Sequence, residues 1–487
     1  MCRSANRWRP MSARAERGLW ILLAVIVLSR LVTMAVLPLT DTSEARYGEI
    51  ARLMAVSGDW ITPWFRERVP FWGKPPLAFW AQAWSIRLFG AGEFGPRFPA
   101  WLAQLATLAL TGRYAFSLGG RRMALIATLI LASMGLSYVA CGAVLTDPFL
   151  TLGTTAALVG AGLALRGEGR GWGALFFAGL VVGLLAKGPL ALVLIGAPLL
   201  IQALWSGRWA ALRRCLPWRA GIPLTLALSL PWYALAEWKT PGFLDYFIVG
   251  EHLRRFLDPG WAGDLYGSAH QRPHGAIWLM TLWATLPWSP LALGWLARRM
   301  ARRGVRLPAD NDLRLLIAAA LVPSLFFTFA GNILATYVLP ALPFMALLLA
   351  RQWPAQRSGL LIGLASLVPV LALVAAGWLQ LHPQRLRSEK RLVACYRALA
   401  DTGAASLAYL GEAPFSARYY AREQLTQVPY DNADDNGVAR RATPYLAVRH
   451  RDLRRLRGAD KARATLFSNR RYVLLGPPAS DKAPCPD

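Results

Sequence analysis

Charged residues are scarce in this 487-residue sequence, making up 17% of the chain against 55% hydrophobic residues. Soluble domains carry about 25% charged residues, and the mean hydropathy here is +0.34. Acidic residues are the scarcer kind, with 27 Asp and Glu against 54 Lys and Arg. The composition excludes an ordinary soluble protein and indicates a membrane protein, whose 21 tryptophans suit two lipid–water interfaces.

The basic excess does not indicate a nucleic-acid partner. The formal net charge is +27, but much of it lies in short connections between apolar runs. Membrane proteins keep Lys and Arg in such connections on the cytoplasmic side. We therefore expect the lipid bilayer as a partner and no nucleic acid.

Cysteine is also scarce, with five residues and no CxxC pair, which argues against a zinc-thiolate site. Cys395 and Cys485 could form a disulfide if the tail faces an oxidising compartment. A cleavable signal peptide is missing as well. The first apolar run, Leu19 to Leu39, follows several arginines, is long enough to span and precedes no A-x-A-like site. We interpret it as a signal anchor with a cytoplasmic N-terminus.

Apolar runs of spanning length recur along the chain. A bilayer core of about 30 Å requires about 20 helical residues. The segments that we predict to span are 19–38, 98–117, 123–141, 145–165, 172–186, 188–205, 220–236, 275–296, 313–330, 334–350 and 358–381.

Charge in the connections predicts the orientation of these spans. Connections predicted inside carry arginines, such as Arg121 and Arg122, whereas the short ones predicted outside, near 142–144 and 331–333, carry none. Two longer outside loops, 39–97 and 238–274, mix acids with bases. Because the number of spans is odd, the C-terminus is predicted outside.

The tail at 383–487 differs in character from the rest. It is polar, with helical periodicity over 386–400 and strand-like runs at Ser406–Leu410, Tyr445–Val448 and Tyr472–Leu475. We therefore predict an all-α polytopic membrane protein of about 11 transmembrane helices, followed by a small extracytoplasmic α/β domain. Its parts are a cytoplasmic tail (1–18), a transmembrane catalytic region (19–382) and the α/β domain (383–487).

The first outside loop carries two acids and a base directly after the first span: Asp41, Glu44 and Arg46. Asp41 or Ser43 could cap a helix that begins near Glu44. That would be an ordinary helix start with a solvated face. Alternatively, a carboxylate here acts as general base on an acceptor hydroxyl or amine.

Lys74 follows Gly73 and precedes two prolines, which stiffen the backbone. A cation on a stiff turn at the membrane surface suits an anionic head group such as a phosphate. The alternative is a lysine that snorkels from the interface.

An ordered set of motifs over residues 19–350 resembles the C-type glycosyltransferases, especially the lipid A 4-amino-4-deoxy-L-arabinose transferases and the related protein mannosyltransferases. The loop motifs are D-x-x-E-A-R-Y-x-E-I-A from Asp41, S-G-D-W-I-T-P from Ser57, W-G-K-P-P-L from Trp72 and F-G-x-x-E-F-x-x-R-x-P from Phe89. Further matches are Leu145–Pro148, Ala186–Pro189, Glu251–Phe256, Pro287–Ser289 and the Thr336–Pro343 segment.

The resemblance implies an inverting sugar transfer in a bacterial inner membrane, on its periplasmic face. The donor is a sugar on undecaprenyl phosphate, and the acceptor is amphiphilic (lipid A, another glycan or lipid) or a protein. A first-loop carboxylate, Asp41 or Glu44, would deprotonate the acceptor. The leaving phosphate needs positive charge rather than an acid. The candidates for that role, with one tyrosine, are Arg46, Lys74, Lys187, His252, Arg254, Arg255 and Tyr337.

Asp147 is the third catalytic candidate, because the family carries an acid at this place and ionisable groups within spans are rare and usually functional. It could also simply cap its helix ahead of Pro148. Lys187 could likewise be a hinge residue between two short spans. No cofactor is required with certainty. A divalent metal is conceivable in the second large loop, where His252, His270 and His274 occur with Glu251, Asp258 and Asp264, but their spacing fits no tight motif.

Three departures set the sequence apart from the aminoarabinose transferases. Those enzymes have adjacent Asp-Glu where this chain has Ser43-Glu44, and commonly Glu where it has Gly73. A basic residue often precedes their x-Thr-Tyr segment, where this chain has Asn332 to Leu334. We therefore expect a sister branch with another sugar or acceptor. A transporter for a lipid-linked saccharide is the alternative, but it would keep its ionisable residues near the midplane on broken helices.

Overall fold

The computed structural model describes residues 12–66, 68–267, 270–303, 310–354, 357–400, 407–422, 425–430, 445–456, 458–476 and 485. Contacts divide the chain into two compact units. The first comprises Met1–Ala35 and Leu53–Val374, and the second Val36–Arg52 and Ala375–Asp487. The segment at 36–52, which we assigned to the transmembrane region, thus groups with the tail. Most of the predicted cytoplasmic tail, 1–18, lies outside the described residues.

Helices dominate the chain as far as residue 381. In order they are α1 (Ala13–Val36), α2 (Ser43–Ser57), α3 (Leu77–Phe89), α4 (Phe94–Ser133), α5 (Gly135–Ala140), α6 (Asp147–Leu165), α7 (Gly171–Lys187), α8 (Leu190–Ser206), α9 (Trp209–Cys215), α10 (Trp218–Lys239), a π-helix (Asp245–Arg254), α11 (Arg255–Leu257), α12 (Ala276–Ala284), α13 (Ser289–Arg303), α14 (Asn311–Phe327), a 3-10 helix (Ala335–Ala341), α15 (Leu342–Gln352) and α16 (Ser358–Leu381). A hairpin of β1 (Trp64–Arg66) and β2 (Val69–Pro70) lies between α2 and α3.

Every predicted span coincides with helical structure, but not always with one straight helix. The span 98–117 falls on α4, and the span 123–141 falls on the end of α4 and on α5. The backbone of α4 breaks at Gly119 and Gly120, between the two spans. The span 275–296 is split into α12 and α13, which meet at 110°. Pro287 lies at this break and lacks the N–H that a continuous helix needs.

Length and apolar composition identify fewer crossings than the sequence predicts. Among the described residues, five helices are long and apolar enough to cross a membrane, or six if the bent pair counts as one. The mostly helical architecture with several apolar helices is therefore established. The number eleven remains a prediction.

Glycines allow α6 and α7 to approach closely. A Cβ on Gly153 would lie 2.6 Å from the nitrogen of Gly183, and one on Gly179 would lie 2.4 Å from the nitrogen of Ala157. Small residues at such contacts are typical of membrane helices, where association depends on close packing. This pairing has a chemical consequence, because the first residue of α6 is Asp147 and the last of α7 is Lys187.

The second unit contains a five-stranded sheet of order β4-β3-β5-β7-β6. Its strands are β3 (Leu407–Leu410), β4 (Leu425–Val428), β5 (Tyr445–Arg449), β6 (Thr465–Ser468) and β7 (Tyr472–Leu475), and its helices are α17 (Lys390–Leu399) and α18 (Phe415–Ala421). β3 pairs in parallel with β4 and β5, whereas β7 runs antiparallel to β5 and β6.

The three central strands of the sheet, β3, β5 and β7, are buried on both faces. One face packs with residues of α17 and α18, such as Leu392 and Ala417. Leu446, Val473 and Leu475 lie on the other face. The three strand-like runs of the sequence correspond to β3, β5 and β7, except that Ser406 lies outside the described residues. The sequence reading missed β4, β6 and α18, which are only four to seven residues long.

Cys395 and Cys485 form a disulfide across a sequence separation of 90 residues, which realises the pairing considered from the sequence. Replacing both by Ser should lower the free energy of unfolding of the second unit by about 2–4 kcal/mol, because the cross-link restricts the unfolded chain. Thermal melting and limited proteolysis of the tail would measure this. Cys215→Ser, at a free and partly exposed cysteine, is the matched control and should melt like the wild type. Equal melting of the double variant would contradict the expectation.

Candidate active site

Lys74 lies on a turn that is fixed by aromatic side chains. The hydroxyl of Tyr266 accepts a hydrogen bond from the Trp72 nitrogen at 2.9 Å and donates one to the Pro70 carbonyl at 2.8 Å. The Phe71 ring packs on Tyr266 with centroids 4.6 Å apart. A Cβ on Gly73 would lie 2.9 Å from that same Phe71 ring, so a larger residue just before Lys74 would require the ring to shift.

Glu251 is the partner of Lys74. Its carboxylate lies 2.9 Å from the Lys74 ammonium and 2.7 Å from the Arg255 guanidinium, and its side chain is 5% exposed. Glu251 lies on the π-helix, a form of helix that is frequent at functional sites. Burial alone would raise the pKa of Glu251, but the attraction of Lys74 and Arg255 outweighs it and lowers the pKa to about 2.

A second ion pair joins α6 to α7. The Lys187 ammonium lies 3.0 Å from the Asp147 carboxylate, and both side chains are 7% exposed. The same ammonium lies over the ring of Tyr337, 5.0 Å from its centroid. Asp147 thus directs its carboxylate to Lys187, while the helix cap is Thr146, which makes no side-chain cap bond.

These groups surround a cavity of about 450 Å³. Of the predicted phosphate-binding residues, the cavity brings together Lys74, Lys187, His252, Arg255 and Tyr337. Glu251 and Asn332 add polar groups, and the remaining lining is mainly apolar, with Phe247 and Phe327 among it. A mainly apolar cavity with a few charged groups is typical of a ligand-binding site, and the cations among those groups suit an anionic ligand.

A larger apolar cavity of about 620 Å³ shares Pro189 with the charged one. Its lining comes from α7, α8, α10 and the start of the π-helix, and consists almost entirely of aliphatic and aromatic side chains such as Leu184, Leu226 and Ile248. No sequence motif indicated this second cavity, because its residues are ordinary membrane-helix residues.

Both ring nitrogens of His252 lie close to backbone carbonyl oxygens. Its Nδ1 lies 2.7 Å from the Phe247 carbonyl oxygen and its Nε2 lies 3.1 Å from that of Lys187. Because carbonyls only accept, both hydrogen bonds together require a cationic ring, whereas burial lowers the pKa of His252. We therefore expect a neutral ring at pH 7, which donates to the nearer Phe247 oxygen. His252 lines the cavity, but both of its nitrogens face backbone.

The candidate metal ligands of the second large loop are not arranged so as to hold a metal ion. In the described parts of the chain, no three His, Cys, Asp or Glu side chains are grouped so as to hold a metal ion. His270 and His274 are exposed, and both nitrogens of His252 lie against carbonyl oxygens. We derive no step through a metal.

Two predicted phosphate-binding residues are not in the cavity lining. Arg254 is exposed on the π-helix and is absent from the lining. Arg46 belongs to the second unit, where its guanidinium lies 5.2 Å from the ring centroid of Tyr47 and 6.0 Å from that of Phe415. Cation–π contacts of this kind hold the side chain in place.

Asp41 has both carboxylate oxygens engaged within the second unit. Oδ1 accepts from the Ser416 nitrogen at 2.8 Å, and Oδ2 accepts from the Ser416 hydroxyl and from Arg471, each at 2.6 Å. Its side chain is 2% exposed. Arg471 also pairs with Glu389 at 2.6 Å. Burial, the largest influence, raises the pKa of Glu389 despite that arginine.

Glu44 is in the first turn of α2 and remains partly exposed. Its Oε2 accepts hydrogen bonds from the backbone nitrogen and the hydroxyl of Thr40, at 3.2 and 3.3 Å. The predicted helix start near Glu44 is confirmed, since α2 begins at Ser43. Of the two first-loop acids, Glu44 has the greater access to solvent.

The role of Glu251 was missed from the sequence. The sequence contains one usable signal, the Glu251–Arg255 spacing of i and i+4, which favours an ion pair on a helix. The Lys74–Glu251 contact joins residues 177 positions apart, and neither composition nor spacing predicts such a contact.

Comparisons with known proteins identify the family of this chain. The family model described as dolichyl-phosphate-mannose-protein mannosyltransferase matches residues 18–247. The chain is 31% identical over 385 residues to an undecaprenyl phosphate-alpha-4-amino-4-deoxy-L-arabinose arabinosyl transferase of Edwardsiella ictaluri, covering 75% of this chain and 67% of that protein. For a similarly described transferase of Pseudomonas fluorescens the identity is 30% over 350 residues, covering 69% and 59%.

The fold is that of a solved transferase structure. The chain superimposes on ArnT from Cupriavidus metallidurans bound to undecaprenyl phosphate with a TM-score of 0.74 and 18% identity, covering 97% of this chain and 100% of that one. The apo structure of the same protein gives a TM-score of 0.73.

The family model and the relatives together identify a multi-pass membrane enzyme of the C-type glycosyltransferase class. Within that class, the chain belongs to the family of the polyprenyl-phosphate-dependent aminoarabinose transferases and protein mannosyltransferases. This membership confirms the predicted resemblance and the predicted class of enzyme, a transferase that uses a polyprenyl-phosphate-linked sugar.

The geometry of Asp41 predicts a structural effect of its loss. Asp41→Asn should lower the free energy of unfolding of the second unit by about 2 kcal/mol, since a hydrogen-bonded buried charge is removed from Arg471. Chemical unfolding followed by proteolysis of the tail would measure it. Glu412→Gln, at an exposed carboxylate of the same unit, should change little. An Asp41→Asn protein that unfolds like the wild type but lacks turnover would instead make Asp41 the base.

Proposed function

We propose that the protein transfers a sugar from an undecaprenyl-phosphate carrier to an envelope acceptor, with inversion, on the periplasmic face of a bacterial inner membrane. One observation supports this most strongly. A cavity lined by Lys74, Lys187, Arg255 and Tyr337 adjoins an apolar cavity of about 620 Å³. A charged site for a phosphate next to a large apolar site suits a long-chain lipid phosphate.

Lys74 and Arg255 are the primary phosphate ligands in this proposal. Both residues line the charged cavity, and charge-assisted hydrogen bonds to phosphate are among the strongest in proteins. Lys187, neutralised by Asp147 and stacked on Tyr337, contributes a second cation at the same cavity. His252 acts as a positioning residue, because its ring bridges the π-helix to the last residue of α7.

The apolar cavity receives the polyprenyl chain. It is bounded by α7, α8 and α10, and Pro189 borders both cavities. Burial of apolar carbon gives about 25 cal/mol per Å². In this proposal a chain of isoprene units therefore contributes most of the donor affinity. The bound phosphate determines where the anomeric carbon of the sugar lies.

Glu44 is the general base in this proposal, and Asp41 is the structural carboxylate. Both oxygens of Asp41 accept hydrogen bonds and its side chain is buried, whereas Glu44 is partly exposed. Glu44 takes the proton of the acceptor hydroxyl or amine as that group attacks the anomeric carbon. The bond from that carbon to the phosphate oxygen breaks, and its electron pair stays on the phosphate, which leaves as undecaprenyl phosphate.

The topology completes the proposal. About eleven spans, with a cytoplasmic N-terminus and a periplasmic C-terminus, follow from the arginines of the connections. The Cys395–Cys485 disulfide supports an oxidising compartment for the tail, a small α/β domain. Lipid A is the first acceptor to test, because the relatives' names specify aminoarabinose transfer. The departures at Ser43 and Gly73 favour testing other envelope lipids, glycans and proteins beside it.

Glu44→Gln should reduce kcat by about 10²–10⁴-fold, the usual contribution of a general base, without changing donor affinity or thermal melting. Release of undecaprenyl phosphate from an undecaprenyl-phosphate-linked aminoarabinose donor, with lipid A as acceptor, would measure it. Asp41→Asn, assayed well below its melting temperature, is the matched carboxylate control and should retain turnover. Full activity in Glu44→Gln would reject the assignment of the base.

Lys74→Ala should weaken binding of undecaprenyl phosphate about 10–100-fold, because a charge-assisted hydrogen bond is lost. The quenching of tryptophan fluorescence on titration of purified protein would measure the dissociation constant. Lys239→Ala is the matched control, since Lys239 pairs with Asp59 and lies outside both cavity linings. Equal affinities of the two variants would remove Lys74 from the phosphate site.

A further inference from the structure

Glu251 forms ion pairs with the two cations that a donor phosphate would bind. Its Oε2 lies 2.9 Å from the Lys74 ammonium, and its Oε1 lies 2.7 Å from Arg255. The Tyr246 hydroxyl lies 3.4 Å from Oε1. The carboxylate is buried in the wall of the charged cavity, so a phosphate that enters the cavity meets Glu251 together with its two cations.

The charges around this cavity are balanced by ion pairs. Lys187 pairs with Asp147, and Arg255 has a second carboxylate, that of Asp264, at 3.5 Å. Lys74 has Glu251. Since the pKa of Glu251 is lowered to about 2, the carboxylate stays ionised across the physiological range. A site that only bound phosphate would not need a buried, ionised carboxylate paired with Lys74, the lysine proposed to bind the phosphate.

The reaction itself changes the charge of the phosphate. A donor in which the phosphate joins sugar to lipid is a diester with one negative charge. The product is a monoester whose second pKa is about 6, so that it carries close to two charges at pH 7. Transfer thus adds up to one negative charge at the place where the Glu251 carboxylate lies.

We propose that Glu251 is an internal counter-ion that yields Lys74 to the donor diester and then repels the more highly charged monoester, so that polyprenyl phosphate leaves after transfer. This inference rests on the proposed function, because it assigns the charged cavity to the donor phosphate. Glu251 is a positioning residue here, since it acts on the phosphate through Lys74 and Arg255 and through its own field.

Other groups also face Glu251 and have to stay constant in a test. Tyr246 and Tyr266 are phenols whose pKa values burial raises further above neutrality, so they remain uncharged. Asp264 and His252 are the remaining titratable neighbours. Because His252 could gain a proton in mildly acidic solution, the comparison is made at the single pH of about 7.5, at which His is mostly neutral.

The wild-type protein provides the first test. Undecaprenyl phosphate and its monomethyl ester share the lipid chain and differ by about one negative charge at pH 7.5. The inference expects the wild type to bind the monoester at most about threefold more tightly, since Glu251 offsets its extra charge. A preference for the monoester of about thirtyfold or more in the wild type would overturn it, whatever any variant does.

Glu251→Gln tests the residue itself. The variant should bind the monoester at least about tenfold more tightly than the wild type, with a smaller change for the methyl ester, since one opposing charge is removed. Asp264→Asn is the matched control, because Asp264 contacts Arg255 at 3.5 Å, whereas Glu251 contacts both Arg255 and Lys74; its monoester-to-diester ratio should stay closer to that of the wild type. Glu251→Asp retains the charge and should retain the wild-type ratio. An unchanged ratio in a folded Glu251→Gln protein would overturn the inference.

Turnover separates this inference from the proposed function. In Glu251→Gln, steady-state turnover should fall more than the single-turnover rate, and added undecaprenyl phosphate should inhibit more strongly than it inhibits the wild type. If neither wild type nor variant bound undecaprenyl phosphate, or if Lys74→Ala bound it normally, the proposed function would fail. If Lys74→Ala weakened binding but Glu251→Gln left the product ratio unchanged, only the role of Glu251 would fail.

Discussion

Burial of charge is the constraint on which the rest of this structure depends. A cation removed from water requires a close anion, since breaking such a pair costs several kcal/mol. Glu251 meets this requirement for Lys74 and Arg255, and Asp147 meets it for Lys187. The pairs fix the position of every cation in the charged cavity. They also ensure that a phosphate has to compete for those cations with residues of the protein itself.

Small residues and irregular backbone determine where these charged side chains lie. Gly153 and Gly179 let α6 and α7 approach closely enough to join Asp147 to Lys187. The π-helix carries Glu251 to the turn of Lys74, and Tyr266 fixes that turn through two hydrogen bonds. Chemistry at the cavity therefore depends on small residues and on an unusual helix as much as on the ionisable groups.

Buried charges are paired in the second unit as well. Asp41, Arg471 and Glu389 share one buried network, in which the carboxylate of Asp41 also binds the nitrogen of Ser416 at the start of α18. A carboxylate so fully engaged is costly to release, because its partners would be left buried without it. The different roles proposed for Asp41 and Glu44 rest on these contacts, although the two residues are three positions apart and chemically alike.

The sequence by itself determined the membrane class, the positions of the apolar helices and the family. The length of the apolar runs and the placement of arginines reflect the bilayer directly. Ordered motifs such as Trp72–Leu77 can be recognised without any knowledge of contacts. Five of the seven candidates for phosphate binding line one cavity, and their role stays a prediction. Only the tertiary structure decided which acids face Lys74 and Arg471, and that residues 36–52 group with the tail. Those contacts join residues up to 430 positions apart, and ion pairing depends on distance in space, which local pattern does not encode.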